Sequence, residues 1–120
     1  MRKEIIYKFG TITLYDNYLV TVINEGEHIV PEQSQLLADI AKEHYNNKPF
    51  VYITYRKYSY SVDPSIYLEV SKIKNLKGFA VIPEALVSKG NATVERMFLD
   101  KPFEIFETLE EAISWAKSMV

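Results

Sequence analysis

Two short and almost wholly apolar runs constrain the fold of this chain more than any other feature of its sequence. They are Phe50–Tyr55 (FVYITY) and residues 79–82 (FAVI). Runs of this length and character are typical of β-strands that are buried on both faces. Between them, Ile66, Val70 and Ile73 recur at helical spacing. Strands that alternate with helices pair in parallel through crossover connections, so the sequence predicts a parallel core with helices packed against it.

Three short strands are predicted before the first helix. Residues 4–9 alternate in the manner of a strand with one apolar face. Residues 11–15 and Tyr18–Ile23 give two further strand patterns, and Asp16 and Asn17 supply a tight turn between them. We expect these segments to form an antiparallel meander at one edge of the sheet.

Helix signals separate the later strands. Pro31 suits the first turn of a helix. In the second helix, Asp63 is the expected N-cap and Pro64 the first helical residue. Pro83 opens a third predicted helix that extends toward residue 98, and residues 102–106 (PFEIF) form the final strand.

The last helix begins with a capping box, in which the Thr108 hydroxyl and the Glu111 carboxylate satisfy backbone donors. The complete order is three strands followed by alternating helices and strands. This order predicts an α/β fold with a mixed β-sheet, made of an antiparallel N-terminal meander and a parallel core, and with about four helices. Residues 1–120 are expected to form a single domain.

The composition excludes several classes of function. The 120 residues carry a formal net charge of −2, which gives no general attraction to nucleic acid. There is no cysteine, so disulfides and cysteine-ligated metals are excluded. No apolar run has the length of a signal-peptide core or of a membrane span. We therefore expect a cytoplasmic protein that does not bind nucleic acid.

Residue patterns that indicate catalysis or metal binding are sparse. His28 follows Glu25 and Glu27, but such closely spaced ligands without a distant partner do not make a specific metal site, and a solvated loop is the favoured interpretation. His44 lies on the apolar stripe of the first helix, where a structural role is favoured over that of a general base. Phosphate-binding and nucleophile-elbow motifs do not occur. The sequence thus predicts no enzyme activity, no catalytic residue, no metal and no cofactor.

The polar segment that follows Phe50–Tyr55 is the favoured place for a functional site. It leaves the carboxyl end of a buried strand, where open α/β sheets generally bind ligands. Its tyrosines, cations and hydroxyls could stack on a ring or bind an anion. The favoured interpretation of the same residues is that the tyrosines pack over the edge of the sheet while the two cations stay in solvent. The residues assigned to this binding or regulatory loop are Arg56, Lys57, Tyr58, Ser59, Tyr60, Ser61, Asp63 and Ser65.

Two parts of the chain resemble a known superfamily. Residues 102–106 (PFEIF) and 108–116 (TLEEAISWA) are similar to the closing strand and EEA-x-x-W helix of small bacterial STAS/Sec-fourteen-type domains, a branch of the STAS / SpoIIAA-like superfamily. Residues 50–63 and 78–82 follow its alternating order. The resemblance implies a SpoIIAA-like fold and a role like that of anti-sigma factor antagonists. In those antagonists a serine is phosphorylated within a D-S-x-G-type loop, whereas residues 59–65 (SYSVDPS) contain neither a glycine nor an Asp-Ser pair.

These observations give one leading hypothesis and two others. The leading hypothesis is a non-enzymatic regulatory or protein-interaction module. The alternative is a binder or carrier of a small apolar, lipid-like ligand in a cavity between helices and sheet, and the third is a small enzyme of unrecognised type. The expected partner is a protein or a small apolar ligand, and a homodimer is left open. Under the leading hypothesis, Ser61→Asp and Ser65→Asp should fold normally and alter partner binding, because a helix start tolerates negative charge.

Overall fold

The structure, a computed structural model, describes residues 2–58, 60–83 and 96–120. These residues form eight β-strands and three α-helices. The strands are β1 Lys3–Tyr7, β2 Gly10–Leu14, β3 Tyr18–Ile23, β4 His28–Ile29, β5 Phe50–Tyr55, β6 Ser61–Val62, β7 Leu76–Ile82 and β8 Phe103–Ile105. The helices are α1 Pro31–Tyr45, α2 Ile66–Val70 and α3 Leu109–Met119.

Six strands form one mixed sheet in the order β1-β2-β3-β5-β7-β8. Neighbours among β1, β2 and β3 run antiparallel, whereas β3, β5, β7 and β8 run parallel to one another. The predicted antiparallel meander and parallel core are therefore confirmed. Strands β3 and β5 have the predicted bounds, and β7 is longer than predicted because it begins at Leu76.

Two of the predicted helices start where the sequence places them. Helix α1 begins at Pro31 and ends at Tyr45. The next residue, Asn46, has a positive φ of 57°, which is incompatible with a right-handed helix. Helix α3 follows Thr108, whose hydroxyl accepts a hydrogen bond from the Glu111 backbone N–H at 3.2 Å, as the capping box predicts. The helix predicted to open at Pro83 falls mainly on residues 84–95, which lie outside the described residues.

Helix α2 is shorter than predicted and starts later. The prediction of Asp63 as N-cap and Pro64 as first helical residue is wrong, because α2 comprises Ile66–Val70 and Ser65 occupies the position before it. The preceding residues form a turn in which the Asp63 carboxylate accepts hydrogen bonds from the Ser65 backbone N–H at 3.0 Å and from the Ser65 hydroxyl at 2.9 Å. This turn takes the place of the first helical residues. With five residues, α2 has little helix dipole to offer an anion.

Strands β4 and β6 form a separate, parallel pair that the sequence does not predict. The pairing sets His28 beside Ser61 and Ile29 beside Val62. The interpretation of His28 as part of a solvated loop is therefore incomplete: the side chain is exposed, but the residue belongs to a strand. Ile29 is buried and Val62 is half-buried, and both side chains pack against the core, which anchors this small pair.

The parallel core is covered on both faces. In β5, Phe50 and Tyr52 face α1 and α2, whereas Val51 and Ile53 face α3. Val51 and Ile53 have no exposed surface, as predicted for a strand covered on both sides. The helices thus form two layers with the sheet between them, and each face of the sheet has its own apolar core.

Helix α3 packs closely against its face of the sheet because small residues meet there. Ala112 and Ala116 of α3 and Ala80 of β7 have no exposed surface. A Cβ atom at Gly78 would lie 2.7 Å from the Cη2 atom of Trp115, so the indole ring occupies the space that a side chain at Gly78 would need.

We predict that Ile53→Asp unfolds the domain, whereas Ile6→Asp leaves it folded. Ile53 is fully buried in the central strand, and an unpaired carboxylate there costs about 4 kcal/mol or more, a large share of a typical domain's stability. Ile6 is 75% exposed on the edge strand β1, so the same substitution places its charge in water. Circular dichroism and urea unfolding of both variants provide the measurement. A cooperative unfolding transition in Ile53→Asp close to that of the wild type would contradict the assignment of β5 as the central strand.

Candidate functional site

The polar segment after β5 lies over the carboxyl edge of the sheet. The backbone N–H of Arg56 donates to the Ile82 carbonyl at 3.0 Å, which holds the start of the segment to the end of β7. The backbone N–H of Ser61 donates to the Glu27 carbonyl at 2.9 Å, which holds its later part beside β4. The segment is therefore attached to the fold at both ends, at the edge where the sequence places a functional site.

The predicted site residues separate into an inner and an outer group. The inner group consists of Arg56, which is 5% exposed, and Tyr60, which is half-buried. Ser59 lies outside the described residues. The outer group consists of Lys57, Tyr58, Ser61, Asp63 and Ser65.

The favoured expectation that Arg56 stays in solvent is wrong. Its Nε donates to the Tyr60 hydroxyl at 3.2 Å, and its guanidinium carbon lies 5.2 Å from the centre of the Tyr60 ring. Strand alternation explains the direction of the side chain: Tyr52 and Thr54 face α1 and α2, and Arg56, two residues later, follows the same side. A guanidinium is weakly hydrated and stacks well on aromatic rings, so its burial beside Tyr60 costs less than that of an ammonium.

Tyr60 links Arg56 to Thr54. The Thr54 Oγ1 lies 2.8 Å from the Tyr60 hydroxyl, and Thr54 is only 2% exposed. Because the phenol accepts a hydrogen bond from Arg56, it can donate its own proton to Thr54. Thr54, Arg56 and Tyr60 are called the polar cluster below. It is a connected set of polar groups inside the protein, at the carboxyl end of β5.

Two further hydroxyl groups lie next to the polar cluster. Burial raises the pKa of the Tyr52 phenol well above its usual value, and the neighbouring Thr21 hydroxyl and Arg56 charge act against that rise. Thr21 is fully buried and pairs in register with Thr54 across β3 and β5. Its hydroxyl influences Tyr52, yet it makes no hydrogen bond of good geometry with any of the described residues. The two paired threonines therefore differ: the Thr54 hydroxyl has a hydrogen-bond partner of good geometry, whereas the Thr21 hydroxyl acts on Tyr52 without one.

An apolar cavity of about 60 Å³ lies between the sheet, α1 and α2. One water molecule needs about 10–15 Å³ by this measure, and a cavity of roughly 150 Å³ holds benzene, so the space as it stands fits a fragment of a few atoms. The polar cluster lines one end of it. Its remaining described walls are mainly apolar, with Ile23, Ile29, Leu37, Ala38, Ala41, Phe50, Val62, Ile66, Val70, Ile73, Leu76 and Phe79 among them.

A groove of about 580 Å³ runs between α1 and α2 on the outer side of this cavity. The two spaces share part of their walls, formed by Ser34, Ala38, Ile66, Val70 and Ile73. The groove and the cavity are therefore separated by only one layer of side chains. A displacement of α2 away from α1 would join them.

Two residues of the outer group, Ser61 and Asp63, lie near His28. The His28 Nδ1 lies 2.7 Å from the Ser61 hydroxyl oxygen, in the register of the β4–β6 pair. The hydrogen bonds from Ser65 hold the pKa of the Asp63 carboxyl below its usual value, and the nearby His28 adds to this effect. A phosphate on Ser61 would therefore lie beside His28, whereas one on Ser65 would lie beside the Asp63 carboxylate.

Among the residues that the structure describes, no group of three or more His, Asp or Glu side chains is placed to hold a metal ion. Within the same ranges, no helix is both long and apolar enough to cross a membrane.

The sequence indicates the polar segment after β5, but it does not indicate that this segment meets Thr54 and the residues of the cavity. Thr54 lies inside the apolar run FVYITY, and the cavity depends on helices that are distant in the sequence. One signal was available: Tyr52, Thr54 and Arg56 alternate with Val51, Ile53 and Tyr55, which indicates that the polar groups share one face.

The search of solved structures finds the same architecture in another protein. An uncharacterised protein of the DUF3478 family from Shewanella loihica PV-4, with a SpoIIAA-like fold, matches with a TM-score of 0.56 at 15% sequence identity. The match covers 97% of this chain and 92% of that chain. No family model and no curated protein matches the sequence. The chain thus has a SpoIIAA-like α/β fold, which confirms the predicted resemblance at the level of the fold.

We predict that Thr54→Val lowers stability and that Thr21→Val does not. The first substitution removes one of the two hydrogen-bond partners of the Tyr60 hydroxyl, at a cost of about 1 kcal/mol. The second removes a buried hydroxyl that has no partner among the described residues, which should be neutral or stabilising. The free energies of urea unfolding measure the difference, and each variant is the control for the other because both threonines are buried and paired in register. Equal decreases in the free energy of unfolding in the two variants would show that the Thr54–Tyr60 hydrogen bond contributes nothing to stability.

Proposed function

We propose that the chain is a non-enzymatic binding module that holds a small, mainly apolar ligand in the cavity beneath α1 and α2. The observation that carries this proposal is an apolar cavity with connected polar groups at one end. Ligand sites generally combine apolar walls with a few convergent polar groups that orient the ligand. The polar cluster also lies at the carboxyl end of β5, the edge at which open α/β sheets bind ligands.

Access to the cavity is proposed to occur through the groove between α1 and α2. The two helices pack only lightly against each other, and five side chains line both spaces. Helix α2 has five residues and is flanked by turns, so its local displacement breaks few hydrogen bonds. A ligand larger than the cavity of about 60 Å³ would then extend its apolar part into the groove.

The ionisable groups around the cavity support binding without catalysis. The described lining contains no histidine and no carboxylate that could take up a proton at neutral pH. Tyr52 lies on the wall, but burial raises the pKa of its phenol and keeps it protonated. Arg56 is always charged and acts through hydrogen bonds and charge.

A ligand-binding test uses straight-chain alcohols from butanol to octanol, followed by ligand-observed NMR and by the thermal unfolding temperature. We expect saturable binding that raises the unfolding temperature. Ala38→Leu, at the wall shared by cavity and groove, should weaken binding by at least about tenfold, because the added methyl groups fill the space. Ile6→Leu on the exposed edge strand is the matched control and should bind as the wild type does. Absence of saturable binding by every alcohol would overturn the proposal.

A second candidate is a regulatory protein-interaction module, in line with the resemblance to anti-sigma factor antagonists. The observation that favours it is the outer group of site residues, in which Tyr58 is 46% exposed beside the exposed Lys57. Ser61 is the better of the two serines for a charge switch, because its hydroxyl contacts His28, whereas the Ser65 hydroxyl contacts the Asp63 carboxylate. Ser65 already donates its hydroxyl to Asp63, so a negative group there would meet like charge.

The interaction candidate is tested with quantitative affinity capture from cell extract followed by binding measurements on the purified partner. We expect Tyr58→Ala and Ser61→Asp to change the affinity at least about tenfold, as removal of an exposed aromatic anchor does at many interfaces. Leu68→Ala, which alters an exposed apolar residue on α2, is the control. A partner whose affinity is the same for wild type, Tyr58→Ala and Ser61→Asp would place the interaction surface elsewhere.

A further inference from the structure

The outer edge of β1 is open to another strand. Among the residues that the structure describes, β1 pairs with β2 alone and forms one edge of the main sheet. Alternate residues of an edge strand turn their backbone N–H and C=O groups away from the sheet, where another strand can bind them. The register between β1 and β2 is unbroken over five residues, with no bulge and no proline in Lys3–Tyr7. Bulges and prolines are features that usually prevent edge-to-edge pairing, and this strand has neither.

The opposite edge of the sheet is built differently. Strand β8 has three residues and follows Pro102, and both a short strand and a proline hinder the addition of another strand. Ile6 of β1, in contrast, is an apolar side chain that is mostly exposed. This contrast identifies β1 as the edge that is suited to receive a partner.

We infer that β1 pairs with β1 of a second copy of this chain, antiparallel across a two-fold axis, and that this pairing joins two six-stranded sheets into one. The inference concerns a different part of the molecule from the cavity and does not depend on the proposed ligand-binding function. It assigns a surface to the homodimer that the sequence leaves open.

The symmetry limits how the two strands can align. A two-fold axis perpendicular to the sheet brings residues of the same sheet face opposite each other, so the axis passes through a residue and not between two residues. Ile5 and Tyr7 pack against the core on the face of α1 and α2, and by strand alternation Glu4 and Ile6 belong to the other face. The axis can then pass through Glu4, Ile5 or Ile6.

Charge complementarity selects the alignment that is centred on Ile6. An axis through Glu4 sets the two Glu4 carboxylates directly opposite each other, where like charges are destabilising. An axis through Ile5 sets Arg2 opposite Lys8 of the second copy, which again brings like charges together. An axis through Ile6 sets Glu4 opposite Lys8 of the second copy and, by symmetry, Lys8 opposite Glu4. Only this alignment pairs opposite charges.

The side chains that this alignment brings together are accessible. Glu4, Ile6 and Lys8 are all exposed. Within one chain, Glu4 lies 3.9 Å from Arg2, but an ion pair between two exposed side chains is weak and competes little with a new contact. On the axis, the two Ile6 side chains cover each other and remove apolar surface from water.

The dimer is expected to be weak and reversible. The paired segment covers residues 4–8 of each chain, far fewer than the ~20–30 residues a side of a standard interface. We therefore expect a dissociation constant in the micromolar to millimolar range, and self-association has to be measured from about 1 μM to about 1 mM protein.

Sedimentation velocity of the full chain over this range tests the dimer. We expect the wild type to pass from monomer to dimer as its concentration rises. Ile6→Asp, which places two like charges on the axis, should remain monomeric. Leu68→Asp, at an exposed apolar residue of α2, is the matched control and should dimerise as the wild type does. A wild type that stays monomeric at the highest concentration overturns the inference, and so does a dimer that Ile6→Asp leaves unchanged.

Charge reversal tests the alignment. Glu4→Lys and Lys8→Glu should each weaken dimerisation about tenfold, because two symmetry-related pairs become like charges at once. The double variant should dimerise as the wild type does, since it restores opposite charges in both pairs. Single variants with wild-type affinity, or a double variant that recovers none of the loss, would overturn the proposed pairing.

A cysteine cross-link measures the distance across the axis. The chain has no cysteine, so Ile6→Cys carries a single thiol. Directly opposed residues of antiparallel strands have Cα atoms about 4.5–5.5 Å apart, which a disulfide can span. Mild oxidation should therefore link Ile6→Cys into dimers. Lys3→Cys is the control on the same strand: its two copies lie about 20 Å apart in this alignment and should not link. Equal cross-linking of the two variants would overturn the inference.

Discussion

Strands β3, β5 and β7 carry apolar side chains on both faces, and the need to cover both faces organises the rest of the structure. Leu19, Val51 and Val81 have no exposed surface, although they belong to three different strands. Parallel strands require crossover connections, and those that join β3 to β5 and β5 to β7 supply α1 and α2 on one face. The other face is covered by α3, which follows β8. The antiparallel strands β1 and β2 lie at the edge and do not carry this constraint, which is why Ile6 on β1 can be 75% exposed.

The helices on the two faces differ in how closely they approach the sheet. On the α3 face, Ala80 meets Ala112 and Ala116, and short side chains let the helix backbone come near. On the other face large rings lie flat over the strands: Tyr52 and Phe79 stack with ring centres 4.9 Å apart. Such rings keep α1 and α2 at a distance, and the five-residue α2 is too short to cover the space between them completely. The cavity follows from this mismatch between broad aromatic side chains and a short helix.

The sequence predicted the parts of the fold that depend on strong local patterns. The bounds of β3 and β5 and the capping box at Thr108 are local features, and each is found where predicted. The β4–β6 pair was missed because two-residue strands have no periodicity and form only through long-range pairing. The start of α2 was misplaced because the Asp63 carboxylate bonds to Ser65 in a turn, a choice that capping rules do not distinguish from an N-cap. For the candidate site, the segment was predicted but the burial of Arg56 was not, since it depends on Tyr60 and on helices remote in the sequence.

The candidate site combines a half on the main sheet and a half on a short helix, and this division follows from the fold. Thr54 and the start of the polar segment belong to β5, which is paired on both sides within the main sheet, so the groups that would orient a ligand are held firmly. The wall between cavity and groove includes Ile66 and Val70 of α2, the shortest helix described. Local opening is expected where few backbone hydrogen bonds hold an element in place, and α2 has only five residues, of which Ile66 and Tyr67 are buried. A site arranged in this way can change its volume through α2 while its polar contacts stay unchanged on β5, because the two properties reside on different elements.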